Sequence, residues 1–276
     1  MVSRTAAGHL PGFRLALAST LVWLGLIVAF PLAALIARPF AGGLHPFMHA
    51  LFDPRLLAAL RVSFGSAFVA AAIDLPLGLL LAWAVVRAKV PGHRLMDALV
   101  ELPLALPTSV SGITLATLYG PRGWFGAPLA HLGLKVAFAP AGIVVALMFV
   151  GIPFVVRSIA PVLANAPVEL EEAAQTLGAS RSQTLWRVVL PPLLPAGLTA
   201  FGLAFARAVG EYGSVIFIAG NQPFRSEIAP LLVVIRLQEF DYAGGAAVGL
   251  ILLLASLVIL LALGALRRRF HHWIAA

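Results

Sequence analysis

The 276-residue sequence contains no cysteine and only two lysines. Without cysteine there are no disulfides and no thiolate metal centres, and the redox compartment leaves no mark. Neither lysine precedes Ser or Thr, since Lys89 is followed by Val90 and Lys135 by Val136. A phosphate-cradling loop ending in Gly-Lys-Ser/Thr is therefore excluded, so the chain does not carry that ATPase. Charge is scarce too: 11% of residues are charged and 61% hydrophobic, against about 25% and roughly 45 to 50% in soluble domains. Mean hydropathy is +0.99. These values describe an all-α integral membrane protein. Internal repeats, catalytic carboxylate pairs and His clusters within spans are also missing, and Ser214 after Gly213 lacks the flanks of a nucleophile elbow. A secondary transporter or a membrane-embedded enzyme would be expected to show such marks.

What is present is a series of six apolar runs. They cover 15–37, 56–86, 95–119, 141–159, 193–219 and 243–266. The first is longer than a signal-peptide core and reads as an uncleaved span. The second carries Asp74 and Pro76, and the third carries Pro103 and Pro107, where kinks are expected. Domain boundaries follow: 1–55 as an N-terminal span and loop, 56–266 as the main transmembrane domain, and 267–276 as a basic tail. The segments 44–55, 121–140 and 221–242 read as loops.

A net charge of +8 would suggest nucleic acid in a soluble protein. Here the basic residues fall in short loops between spans, which points to membrane orientation and to anionic lipid at the tail, with no nucleic-acid partner. Eleven Lys and Arg lie on the face holding both termini, including Arg4, Arg14, Lys89 and Arg267, and seven on the other. Both ends are therefore expected in the cytoplasm.

Residues 161–191 form the longest stretch unsuited to a membrane. Asn165 is expected to cap a first helix, with Pro167 in its first turn and Glu169, Glu171 and Glu172 favoured by the helix dipole. Gly178 supplies a left-handed residue to end it. Ser180 and Gln183 have capping-box spacing for a second helix, which Pro191 and Pro192 stop. The result is a cytoplasmic helix–turn–helix knob, which is either a rigid projection suited to a partner's grip or an ordinary loop that is helical.

Charges inside spans mark structure or transport, because each costs on the order of 3 kcal/mol at the bilayer centre. Arg207 and Glu211 are four residues apart and share a helix face, so they pair. Either the pair locks the fifth span to a neighbour, or Arg207 lends positive potential to an anion path that Glu211 gates. Asp74 has no sequence-local partner; Arg207 and Arg61 are the arginines that tertiary contact could bring to it. Glu101 is an unpartnered acid at the cytoplasmic interface. Thr108, Ser109, Ser111, Thr114 and Thr117 give the third span a hydroxyl stripe that either lines a hydrated path or bonds its own backbone. His45, His49 and Asp53 have helical metal-ligand spacing, but Pro46 and Pro54 are expected to disrupt that helix, leaving no metal site.

Glu172-Ala-Ala-x-x-x-Gly178, nine residues and then Val188-x-Leu190-Pro191 resemble the EAA signature of permease subunits in ATP-binding-cassette importers, with Val188 where Ile is usual. The resemblance implies the type I importer permease, or MetI-like, fold. It implies that Glu172, Ala173, Ala174 and Gly178 form a coupling helix docking in a separate ATPase, with Arg181 and Trp186 as flanking contacts. Further segments extend the likeness: Leu10-Pro-Gly-Phe13, 97–108, 152–157, Arg207-Ala-Val-Gly-Glu-Tyr-Gly213, 215–221 and 236–242. These are similar to the T-type permease subunit of bacterial sulfate and thiosulfate importers. That likeness implies a second permease subunit, two ATPase subunits that bind the ATP, and a periplasmic sulfate-binding protein. It implies no cofactor in this chain. Molybdate and tungstate permeases share the coupling motif, but they are shorter and usually lack the first span, so residues 1–50 favour sulfate. A tentative path then runs past Arg207, Glu211, Thr108 and Ser111.

Overall fold

The computed structural model describes residues 12–41, 43–87 and 92–274, without the side chains of 46 and 266–274. Arg4, Leu10, Pro11 and Lys89, and the side chains of the basic tail 267–272, lie outside the described residues. Twelve helices account for the described secondary structure, which contains no strand. They are α1 (Phe13–Phe40), α2 (Leu44–Leu51), α3 (Pro54–Val86), α4 (His93–Ala105), α5 (Thr108–Tyr119) and α6 (Gly126–His131). Then follow α7 (Pro140–Asn165), α8 (Glu169–Thr176), α9 (Arg181–Val209), α10 (Val215–Ile218), α11 (Ala229–Gln238) and α12 (Tyr242–Ile274).

Five of these, α1, α3, α7, α9 and α12, are long and apolar enough to cross a membrane. The pair α4 and α5, bent by 111°, is apolar enough when taken together to make a sixth, broken span. A kink was the sequence expectation for that run, and the structure makes it a break. Leu106 is extended at ψ 138, as a residue before proline prefers, and Pro107 is extended as well, so neither can continue the helix.

The core is the trio α3, α7 and α9, which have the most extensive mutual contacts. The buried face of α3 reads Ala59, Ser63, Ala67, Ala70, Ala71, Asp74, Gly78 and Ala82. Small residues at three- and four-residue spacing let backbones approach closely, which drives helix association where lipid gives no hydrophobic force. In contrast, none of the most apolar stretch of α1 is buried. Its final turn meets α12, where the Arg38 guanidinium lies 5.8 Å from the Tyr242 ring centre.

Several sequence boundaries change. The fourth span continues to Asn165, so Asn165 ends α7 instead of capping α8, whose cap position is Val168 with no side-chain hydrogen bond. Pro191 and Pro192 do not stop a second knob helix; α9 runs through them from Arg181 to Val209. The reason is a wide π turn at Leu185–Val189, in which the Leu190 N–H donates to Leu185 O. There the last N–H before the prolines reaches one residue further back, so the helix widens where the proline rings enter and continues through them. The fifth span therefore ends at Val209, and 211–219 is a turn and the short α10. Helices also form inside three expected loops: α2, α6 and α11. In α2, Pro46 lies within the first turn, where proline is tolerated, and Pro54 opens α3. His45 and His49 are both exposed on α2, and among the described residues no three metal-ligating side chains converge.

Candidate functional site

Two places combine the residues singled out by sequence. The first is the α8–α9 knob. Glu169, Glu171 and Glu172 occupy the first turn of α8, where unsatisfied N–H groups favour anions. Gly178 has φ +83, and it ends α8 in a Schellman turn. Ala179 N–H donates to Ala174 O at 3.0 Å and Gly178 N–H to Gln175 O at 2.9 Å. The capping box is present: Gln183 N–H donates to Ser180 Oγ at 3.3 Å and Ser180 N–H to Gln183 Oε1 at 2.8 Å. Hence the junction of the two helices is fixed by backbone and cap bonds.

The knob's side chains face solvent. Glu172, Ala173, Gly178, Arg181 and Trp186 are exposed, and Ala174 is half-buried. Around them Leu170, Leu177 and Trp186 are exposed by 54%, 88% and 68%. Three large apolar side chains held open in a polar segment are a docking surface in the making. Leu170 and Leu177 escaped the sequence reading, although their position flanking an acidic helix was a usable signal. The knob is moored by Arg87, whose Nη2 donates to Ala166 O at 2.7 Å and lies 3.4 Å from Glu171 Oε1. A second tie sits nearby: Arg157 of α7 pairs with Glu101 and, at 3.6 Å, with Asp97 of α4. Glu101 therefore has a partner after all, brought from 56 positions along the chain by the packing of α4 on α7.

The second place is the turn after α9. Arg207 Nη1 and Glu211 Oε2 are 2.6 Å apart, as their spacing predicts. Glu211 is buried, and its other oxygen accepts from Ser214 N–H and Ser214 Oγ, both at 2.9 Å. One carboxylate thus closes the turn that starts α10 and neutralises the arginine. The Arg207 side chain remains one-third exposed.

Helix α5 lies against this turn. A Cβ on Gly112 would stand 2.3 Å from Ser214 O, so only glycine permits the approach. Thr108 borders Gly213 in the same way. Thr108, Ser111, Arg207 and Glu211, distant in sequence, are therefore gathered at one junction. The hydroxyls divide: Ser111 and Thr117 donate to the carbonyls of Pro107 and Ile113 one turn back, at 3.3 and 2.9 Å, whereas Ser109 and Thr114 face outward. Beyond the junction, Thr117, Arg122, Trp124, Phe138 and Phe217 line an open cavity of about 900 Å³.

Asp74 departs from expectation. It is fully buried, and neither carboxylate oxygen has a hydrogen-bond partner among the described residues. It sits on Gly151 of α7 near Ala204 of α9, without contacting Arg207 or Arg61. Arg207 is already held by Glu211 on its own helix, and Arg61 is exposed on the outside of α3.

The fold has solved counterparts. It superimposes on a bacterial ABC transporter involved in the import of the acidic polysaccharide alginate with TM-score 0.77 and 18% identity, covering 93% of this chain and 94% of that one. Among curated relatives, the probable sulfate transport system permease protein cysT of Nephroselmis olivacea is 46% identical over 246 residues, 89% of this chain and 87% of that protein. The sulfate transport system permease protein CysT of Salmonella typhimurium is 44% identical over 270 residues, 98% of each. The model of the binding-protein-dependent transport system inner membrane component matches residues 74–274. A multi-pass helical fold of the importer-permease kind, matched over most of its length, makes this chain a member of the binding-protein-dependent transport system inner membrane component family.

Proposed function

We propose that this chain is a permease subunit of an ATP-driven importer that carries sulfate or thiosulfate across the cytoplasmic membrane. The observation that carries the substrate class is 44% identity over 98% of the chain to a sulfate permease. The main transmembrane domain is 56–266, preceded by an N-terminal span and followed by a basic tail that contacts anionic lipid. Both termini lie in the cytoplasm, consistent with the bias of Lys and Arg. The partners are a second permease subunit, two ATPase subunits and a periplasmic sulfate-binding protein.

The mechanism is alternating access. A loaded binding protein docks on the periplasmic loops, and ATP closes the ATPase pair. The knob transmits closure through Glu172, Ala173, Ala174 and Gly178, with Arg181, Trp186 and the exposed leucines at its edge. Because the α8–α9 turn is backbone-locked and α9 runs unbroken from Arg181, a push on the knob moves α9 as a lever. At the lever's far end stand Arg207, Thr108 and Ser111. There Arg207 offers a divalent anion its positive charge, and Glu211 holds the guanidinium in place. A positioning part for Glu211 fits its three accepted contacts better than a gating one.

Sulfate uptake in a strain lacking its own permease subunit tests the reading, with molybdate as competitor. Wild type should restore uptake, and Gly178→Asp and Glu172→Lys should abolish it while still reaching the membrane. Uptake that persists without the ATPase overturns the importer mechanism. Transport of molybdate alone overturns the substrate.

A further inference from the structure

Five of the arginines described here have a carboxylate. Arg55 grips Glu227 through two bonds of 2.8 and 2.6 Å, Arg236 bridges Asp53 and Asp241, Arg207 holds Glu211, and Arg87 and Arg157 meet glutamates. Among those without one, Arg61 of α3 and Arg225 of the α10–α11 turn share a place. They line one cavity of about 350 Å³ together with Gly65, Ser66, Val69 and Pro140, and no acidic residue lines it. Neither arginine is in an ion pair among the described residues.

Their juxtaposition is held in place. The turn carrying Arg225 folds on Gln222 O, which accepts from Arg225, Ser226 and Glu227 N–H. The turn is pinned to α3 on its far side, where Glu227 binds Arg55 and Ala229 N–H donates to Ser63 Oγ at 2.8 Å. The pin lies on the buried side of α3, and Arg225 lines the same cavity as Arg61 on the exposed side. Gly65 leaves the floor open, with nothing within 4 Å of where its Cβ would be. Two turns further along α3, Phe68 and Val69 are 56% and 45% exposed, as lipid-facing residues are. The cavity therefore lies where α3 passes from its charged end into the apolar layer.

Two arginines lining one cavity at that level, with a hydroxyl beside them and no carboxylate, offer charge-assisted donors to an external anion. We propose that Arg61 and Arg225 form a binding site for one tetrahedral oxyanion at the membrane interface. Two sources offer this chemistry: the phosphate of an anionic phospholipid, and the transported anion on its way to the path. Only the second source rests on the transport reading.

Two measurements on the complete importer separate them. Native mass spectrometry of the complex, purified from membranes containing phosphatidylglycerol, reads the lipid. Wild type should retain a bound phosphatidylglycerol through delipidation, and the double variant Arg61→Gln, Arg225→Gln should lose it about twentyfold, about fivefold for each arginine. The charge-keeping pair Arg61→Lys, Arg225→Lys and the exposed control Lys135→Gln should retain it, which separates loss of the site from misfolding. Sulfate uptake into vesicles of uncharged phosphatidylcholine reads the other source, where KM should rise about tenfold in the Gln pair with kcat unchanged, again on the electrostatic scale of two arginines. Either change supports the site and identifies its ligand. Lipid retention and KM both within twofold of the control overturn it. A wild type that carries no sulfate defeats the transport reading, and the lipid measurement then decides the site alone.

Discussion

The α8–α9 knob and the turn after α9 are both short departures from the span pattern, and they treat their side chains in opposite ways. In the knob every fixed relation is made by backbone or cap bonds, which leaves Leu177, Trp186 and Glu172 facing solvent. In the turn the side chains themselves hold the shape: Glu211 alone meets Arg207 and both donors of Ser214, and Gly112 lies against the backbone. A surface that must fit a partner keeps its side chains uncommitted. A junction that must hold an arginine inside a membrane commits all of them. Substitutions should therefore disrupt assembly in the turn and disrupt communication in the knob.

The largest effect is expected from Gly112→Val. Its Cβ would fall on the Ser214 carbonyl, which is main chain and cannot step aside cheaply. Overpacking of this kind costs about 3 kcal/mol or more where backbone must shift. The amount of assembled complex in the membrane should drop to near background, and a normal yield would mean that the junction is softer than its contacts indicate. Next comes Glu211→Ala, which strands Arg207 and two donors of Ser214. Removing one member of a buried pair costs about 3 to 5 kcal/mol, and the partial exposure of Arg207 places this case at the lower end. The melting temperature of the purified complex should fall by several degrees, with Glu211→Gln recovering part through its retained acceptor. If uptake falls in Glu211→Ala while the melting temperature holds, Glu211 acts on the anion and not on the fold.

Trp186→Ala should do the reverse. Its ring is 68% exposed, so the fold loses little, but if the ATPase covers it, an apolar contact of this size is worth about 2 kcal/mol. The membrane subunits should assemble normally and bind the ATPase about thirtyfold more weakly, read by titration of detergent-purified components. Unchanged affinity would move the docking surface away from this face of the knob.

How far the sequence carried the reading depends on the separation of the partners. The capping box of Ser180 and Gln183, the left-handed Gly178 and the pair Arg207 and Glu211 are all complete within four residues, and their spacing states the geometry. The apolar runs likewise located the crossings. What spacing could not state are the bonds between distant segments: Arg55 to Glu227 across 172 positions, or Arg157 to Glu101 between two spans. Asp74 looked like a charge in need of an arginine, yet its helix face turns it onto Gly151. The prolines misled for a different reason. Pro191 and Pro192 normally end a helix, but the π turn before them restores its continuity, and the break came instead at Pro107, where two consecutive residues are extended. Proline fixes its own φ and removes one donor, and whether a helix survives depends on what the preceding turn does with the orphaned carbonyls.

Gly178→Ala should give the smallest effect, and it tests how closely the partner approaches. At φ +83 an alanine is strained by about 1 kcal/mol, while nothing in this chain lies within 4 Å of its Cβ. If strain is the whole effect, the Schellman turn loosens slightly and ATPase stimulation by the permease falls about fivefold, with Gly178→Asn recovering most of it because asparagine tolerates the left-handed region. If the partner surface packs against the bare backbone, asparagine rescues nothing and both variants lose stimulation together. The two outcomes separate a glycine kept for its conformation from one kept for the absence of a side chain, which the open geometry of the knob leaves to its partner to decide.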